Sequence, residues 1–360
     1  MPRERTFWVL LAILLVAAWS ATFLEDRSPR SVTVGLATEA PTFLSQAAGG
    51  RTFRPARFAL LASLPAGSPG APLALPTIVK ADARGDAYVL DSGTGRVVRL
   101  GAEGKTLQTY GPDGLGNPSD IAVTGAGELW IADPDGRRIT VFDPQGGKRT
   151  IELREPVYRL APAEPRVGEP RAPGFVATLF NTHGETLFHR FSPRGERQGS
   201  FGRFFPSEYQ SALTGDGWLV PAGDLGFLYL FRHAGLLASY GEDGRPRYFR
   251  KTIVPLPLPA LHIDVGGNQT FSTSSPLAAI SGSLVGPELY VLAGDLGPKA
   301  RVLDVYEAAT GTYRYSLQPP ETDARYAVLA PGRLWSVGPR GVAVYGWEPA
   351  LGTSGDTPAG

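Results

Sequence analysis

Along most of the chain, apolar residues come in runs of four to six, each closed off by glycine, proline, aspartate or serine, and no 3.6-residue rhythm links them. Runs of that length between turn residues predict short strands rather than helices. Between Pro76 and Leu153 one such series is written twice. PTIVKADARGDAYVLDSGTGRVVRLGAEGKTLQTYG begins at Pro76 and PSDIAVTGAGELWIADPDGRRITVFDPQGGKRTIEL at Pro118. Setting them side by side pairs Pro76 with Pro118, Gly85 with Gly127, Tyr88 with Trp130, Asp91 with Asp133, Arg96 with Arg138 and Gly104 with Gly146, always 42 residues apart. The first copy predicts four strands, a to d, at 78–81, 87–90, 96–100 and 106–110. Gly85 and Gly104 fall in the tight turns, where a positive φ is needed.

A period of about 40 to 45 residues with four strands in each is that of a β-propeller blade. Further blades are expected at 157–201, with an insertion of about eleven residues after its first strand relative to the second blade, and at 211–240. A long irregular connection, 241–275, follows. A fifth blade starts from LAAISGSLV and a sixth from YAVLAPGRLWSV, the last ending one strand short. RFALLASL, at 57–64, reads as that missing strand, brought from the N-terminal side so that the ring has no free edge. The expected fold is all-β: a six-bladed β-propeller of four-stranded blades, closed by an N-terminal strand and preceded by one N-terminal hydrophobic helix. Its divisions are 1–24, a signal peptide or membrane anchor; 25–56, a tether; 57–347, the propeller; and 348–360, a disordered tail.

The b to c segments, DSGTGRVVRL from Asp91 and DPDGRRITVF from Asp133, resemble the NHL repeat of six-bladed, TolB-like propellers. The aspartate and arginine of that pattern are kept. Its asparagine and histidine are replaced by Thr94 and Gly95 in one copy and by Gly136 and Arg137 in the other. The resemblance implies the fold and leaves the activity open.

Composition narrows the function. Forty-five glycines and 33 prolines in 360 residues suit many short strands, and a net charge of +1 gives no concentrated basic surface for nucleic acid. With no cysteine, disulfides, thiolate catalysis, Cys-ligated zinc and a lipoprotein anchor are excluded. Arg3 and Arg5 precede an apolar run over 7–24 that Glu25, Asp26 and Arg27 end. That order directs the body of the chain out of the cytoplasm, to the periplasm or cell surface, whether the segment is cleaved or kept as a membrane tether.

Candidate chemistry is sparse. Asp91 and Asp133 close strand b of both clear repeats, either as a ring of acids on one face or as anchors for loop amides and for Arg96 and Arg138. His183, His189, His233 and His262 have no metal-pair spacing. Asn117, Asp120, Asp216, Asp264 and Asn268 carry the oxygens that an axial calcium would need, but the early inner-strand glutamate of lactonase-like propellers has no counterpart near Ile78. No GxSxG, HExxH, P-loop or EF-hand pattern occurs. Aromatic and basic residues crowd the two links flanking the fourth blade: Phe204, Phe205, Glu208 and Tyr209 before it; Arg245, Arg247, Tyr248, Phe249, Arg250 and Lys251 after it. Flat rings beside guanidinium groups predict a recognition face. The expectation is therefore a binding module for an envelope or extracellular protein, a peptide or a glycan, without cofactor. The alternative is a metal-dependent, lactonase-like hydrolase or lyase with an axial calcium.

Overall fold

The computed structural model describes residues 30–37, 44–45, 50–111, 115–163, 174–180, 186–253, 256, 258, 260–264, 266, 268–271, 277–294 and 301–349. The expected N-terminal helix, His183 and the tail from 350 lie outside these residues, as does most of the insertion in the third blade. Among them no helix is long and apolar enough to cross a membrane.

Three strands precede the repeats: β1 (Arg30–Thr33), β2 (Leu44–Ser45) and β3 (Ala56–Pro65). The first sheet is β4 (Pro76–Ala81), β5 (Ala87–Asp91), β6 (Arg96–Leu100) and β7 (Thr106–Tyr110), within two residues of the expected bounds. The second is β8 (Asp120–Val123), β9 (Leu129–Asp133), β10 (Arg138–Phe142) and β11 (Lys148–Glu152). The third is β12 (Val157–Pro162), β13 (Phe175–Leu179), β14 (Phe188–Phe191) and β15 (Arg197–Phe201). The fourth is β16 (Gly217–Pro221), β17 (Phe227–Phe231), β18 (Leu236–Tyr240) and β19 (Pro246–Lys251), with β2 added parallel to β19. β20 (Ala260–Ile263) and β21 (Gln269–Phe271) join β1 in a separate three-stranded sheet. The fifth is β22 (Ala279–Val285), β23 (Glu288–Ala293), β24 (Val302–Glu307) and β25 (Tyr313–Leu317). The sixth is β26 (Tyr326–Ala330), β27 (Arg333–Gly338) and β28 (Gly341–Pro349), completed by β3 in antiparallel register from Gly341 opposite Pro65 to Pro349 opposite Ala56.

Each first strand packs beside the next, β4 to β8, β12, β16, β22 and β26, and β26 packs against β4 again. The sheets thus stand around one axis with their first strands innermost. This is a β-propeller. Apolar side chains pack between successive sheets, as where Trp130 of β9 meets Phe175 of β13 at 5.8 Å between centroids. The inner strands are also clasped directly. Ser281 Oγ donates to Ala327 O and accepts from Ala327 N, and Ser283 Oγ accepts from Leu329 N, so side chains of β22 satisfy the open backbone edge of β26.

Two expectations need correction. The stretch after Tyr240 is not an irregular link: GEDGR (241–245) forms the same hairpin turn as GAEGK (101–105), with Gly241 N donating to Arg245 O as Gly101 N does to Lys105 O. β19 therefore completes the fourth sheet. The 25–56 stretch is also more than a tether, because Val34 is fully buried, Arg51 makes a two-pronged ion pair to Asp304 at 2.8 Å, and Thr52 and Arg54 exchange backbone hydrogen bonds with Ser316.

Candidate axial binding site

Because inner strands run beside the axis, a long side chain at the right register can reach across it. Five do so. Lys80 (β4), Asp120 (β8), Arg159 (β12), Trp218 (β16) and Tyr326 (β26) converge from five of the six sheets. Trp218 stacks under the Arg159 guanidinium at 3.9 Å and meets the Tyr326 ring edge-on at 5.0 Å. The Lys80 ammonium, from the sheet opposite, lies 5.8 Å from the Trp218 ring and 5.6 Å from that of Tyr326. A β-bulge between Val157 and Arg159 accompanies the inward placement of Arg159.

Part of this cluster is held by the scaffold. Arg159 donates to Ser119 O at 2.8 Å and to the Tyr158 hydroxyl at 2.9 Å, and Asp120 Oδ2 accepts from Leu160 N at 3.1 Å. The rest is not. Asp120 Oδ1, Arg159 Nε and Trp218 Nε1 are buried without partners, and the Tyr326 hydroxyl, which Lys80 approaches, makes no hydrogen bond of good geometry. Burial opposes the Lys80 charge, yet Tyr326 and Asp120 outweigh it and raise its pKa. Burial raises the Asp120 carboxyl, with Lys80 and Arg159 pulling the other way. Two cations thus face one carboxylate, and no ion pair closer than 4 Å joins them.

Beyond the cluster, at the C-terminal ends of the inner strands, lies a cavity of about 190 Å³. Lys80 and Ser283 are on its wall with the apolar side chains of Ala81, Ile121, Val220, Leu284 and Val328, and backbone groups between them make its surface as polar as it is apolar. The axis therefore offers a charged, aromatic head and a small chamber of mixed polarity. That arrangement can bind and orient a small amphipathic group.

The expected recognition face is overturned by packing. Phe204, Phe205 and Phe249 are fully buried and Tyr248 nearly so, because these rings fill the space between the fourth sheet and its neighbours. Phe204 meets Phe231 edge-on at 4.8 Å and Phe249 at a tilt at 5.3 Å, Phe205 meets Phe231 at 6.1 Å, and the Tyr248 hydroxyl donates to Ala308 O. Gln210 pins the turn by accepting from Phe204 N and Phe205 N. Tyr209 is half-buried at the edge of this cluster. Arg245 and Arg247 are exposed, the first beside Asp243 at 3.5 Å, and Arg250 lies over the Tyr248 ring at 5.7 Å. No aromatic and basic surface patch results.

Nor do the oxygens proposed around a calcium converge. Asp120 is on the axis with the cations, and Asp216 is near enough to act on Arg159. Asn117 is exposed and bonds Asp135, Asp216 pairs with Arg232 at 3.2 Å, and Asp264 with Asn268 closes an exposed turn. Among the described residues no group of three metal-ligating side chains forms. A divalent cation does not fit beside Lys80 and Arg159. Asp91 and Asp133 take the anchoring role: Asp91 accepts from Leu75 N at 2.6 Å and Thr94 Oγ1 at 2.8 Å, and Asp133 from Gly136 N and Arg138 Nε at 3.0 Å. His189 is buried in β14, His233 lies over Phe271 at 4.0 Å and His262 is exposed, so these three do not form a site.

No family model matches the chain, and no curated protein matches its sequence. Solved structures do resemble it. A Bacteroides fragilis protein inferred to be exported aligns over 86% of this chain and 99% of its own, with a TM-score of 0.57 and 8% identity. Virginiamycin B lyase of Staphylococcus aureus aligns over 81% of this chain and 99% of its own, at a TM-score of 0.49 and 9% identity. The calcium-binding protein regucalcin of Agrobacterium tumefaciens aligns over 82% and 95%, at 0.48 and 13%. The likeness is one of fold. At such identities the chemistry has to come from this chain's own axis.

Lys80, Arg159, Trp218 and Tyr326 were missed by sequence reasoning, although for Lys80 a signal existed. In the 42-residue repeat, Asp120 stands where the first copy has Ile78, and Lys80 where the second has Ala122. Polar residues that break an apolar repeat position mark where the scaffold rule has been set aside.

Proposed function

We propose that the chain is an exported, six-bladed, NHL-like propeller that works as a binding module and takes its ligand on the axis. The observation that carries this reading is the convergence of five inner strands on one buried point that leaves hydrogen-bonding atoms of Asp120, Arg159 and Trp218 unpartnered. A channel that only needed filling would be plugged more cheaply by branched apolar side chains, since buried charges lose hydration worth several kcal/mol each. Unpartnered polar atoms in a channel are what a ligand or ordered water completes. Export is supported by the charge and hydropathy order of 1–27 and by the exported character inferred for the Bacteroides fragilis protein. The partner is an envelope or extracellular protein, peptide or glycan that presents a small terminal group, because the chamber is too small for a bulky ligand. The metal-dependent hydrolase or lyase reading draws no support from an axis with more cations than carboxylates.

Tryptophan emission of the purified chain tests this. Titration with peptide and oligosaccharide libraries is expected to give a saturable change that Trp218→Phe removes while the far-ultraviolet dichroism stays the same. A saturable ligand whose affinity is indifferent to both Trp218→Phe and Lys80→Met would place binding elsewhere and refute the axial reading.

A further inference from the structure

The charge balance on the axis goes one step beyond a generic ligand site. Lys80 and Arg159 supply two positive charges against the Asp120 carboxylate, while Asp216, which also acts on Arg159, is balanced by its ion pair with Arg232 at 3.2 Å. The carboxylate is already partly used: Asp120 Oδ2 is occupied by Leu160 N, and Asp120 is at no salt-bridge distance from either cation. Arg159 spends two of its nitrogens on Ser119 O and the Tyr158 hydroxyl, both on the scaffold, and keeps Nε without an acceptor. The Lys80 ammonium has two ring faces around it and approaches the Tyr326 hydroxyl. The buried atoms here without a partner include two donors, Arg159 Nε and Trp218 Nε1, beside Asp120 Oδ1 and the Tyr326 hydroxyl. Arg159, Trp218, Asp120 and Tyr326 are all more than nine-tenths buried, so bulk water does not screen them.

Donors of that kind call for an acceptor with negative charge. The side chains of the chamber beside them are mostly apolar, among them Ala81, Ile121, Val220, Leu284 and Val328, with Ser283 and backbone groups between, so whatever brings the charge can carry a small body that is apolar in part. Resting on the axial reading above, we infer that the ligand is a small carboxylate with an apolar tail or ring, its carboxylate set between Lys80 and the Trp218 and Arg159 stack and its apolar part in the chamber. One added negative charge brings the cluster to neutrality. Asp120 Oδ1 then disfavours a second anionic oxygen nearby, which selects a singly charged head over a phosphate.

The test uses the full chain and three probes with one hydrocarbon tail: hexanoate, hexanol and hexylamine, followed by calorimetry and by the Trp218 emission difference. Hexanoate is expected to bind, at least tenfold more tightly than hexanol, with hexylamine silent and with affinity falling as salt rises. Lys80→Met, which keeps the stem and removes the charge, is expected to weaken hexanoate at least tenfold without lowering the melting temperature. Ala81→Leu, which occupies part of the chamber, is expected to weaken hexanoate and hexanol alike. Equal binding of hexanoate and hexanol, or hexanoate binding that Lys80→Met leaves intact, overturns the carboxylate inference while leaving an axial site. Binding of none of the three probes, with no change in Trp218 emission, overturns the inference as well; the peptide and glycan titrations then decide separately whether the axis takes any ligand.

Discussion

Replacing Asp91 by alanine tests whether the repeated aspartates hold the propeller together or serve a face of it. Asp91 is fully buried and its carboxylate gathers Leu75 N at 2.6 Å, Ala74 N at 3.1 Å and Thr94 Oγ1 at 2.8 Å, with Arg96 Nε 3.4 Å away. These contacts tie the segment arriving from β3 to the loop between β5 and β6. Each bond to a charged acceptor is worth about 1.5 to 3 kcal/mol. Ala74 and Leu75 are exposed and their amides can return to water, which offsets part of the loss. The net cost of Asp91→Ala is then about 3 to 4 kcal/mol, a fall of roughly 5 to 7 °C in melting temperature for a domain of this size. Asp91→Asn keeps one acceptor for Leu75 and Ala74 and can turn its amide to the Thr94 oxygen, so its cost is about 1 to 2 kcal/mol. Urea denaturation followed by intrinsic fluorescence ranks the three proteins. A melting temperature unchanged in Asp91→Ala, or Asp91→Asn as damaging as alanine, would refute the anchoring argument. Loss of ligand binding in a fully stable Asp91→Asn protein would instead favour a ring of functional acids.

Two further outcomes are expected. Phe249→Ala removes a fully buried ring from contact with Phe204 and Phe231 and should cost about 3 to 5 kcal/mol, read as a lower urea midpoint; a midpoint within error of the parent would return that residue to the surface. His189 is buried, and burial together with the Arg197 charge lowers its pKa from 6.5 to about 4. The unfolded chain therefore takes up a proton as pH falls below 6.5 while the native chain resists until about 4, so stability is lost across that window and levels off below it, by about 3 kcal/mol at most. A series of urea midpoints between pH 7 and pH 4 should show this slope, reduced in His189→Gln; equal slopes in both proteins would remove His189 as its source.

What could be read from the sequence, and what could not, divides along a physical line. Strands β4 to β11 were legible because their turns are local: a glycine of positive φ in fourth place, Gly104 and Gly146, fixes each hairpin, and apolar runs on either side do the rest. Gly195 and Gly244 sit in the same place in SPRGE and GEDGR, with the same hydrogen bonds. That recurrence was enough to identify β19 as an outer strand, but the prolines and leucines after Lys251 drew attention to the length of the connection instead. A loop would leave Tyr248 and Phe249 exposed, whereas a strand turns Tyr248 toward Ala308 after the fifth sheet's third strand and Phe249 against Phe204 and Phe231.

The axis was illegible for a different reason. Lys80, Asp120, Arg159, Trp218 and Tyr326 span nearly 250 residues of chain and no two belong to one turn, so no local pattern joins them. Closure of the ring is what brings them together, and closure depends on β3, pairing with β28 far from any of the five. A site assembled in this way has a consequence for its energetics. Strands that could have packed the axis with apolar side chains, as β4 does with Ile78 where β8 has Asp120, instead bury charges whose hydration is lost on folding. The propeller can carry that cost because most of its stability lies between the sheets, where Trp130 meets Phe175 and Phe188 meets Phe227 and Tyr240. Lys80→Met should thus separate the two roles: a protein that folds as well or better, and a channel that has lost the charge its ligand answers.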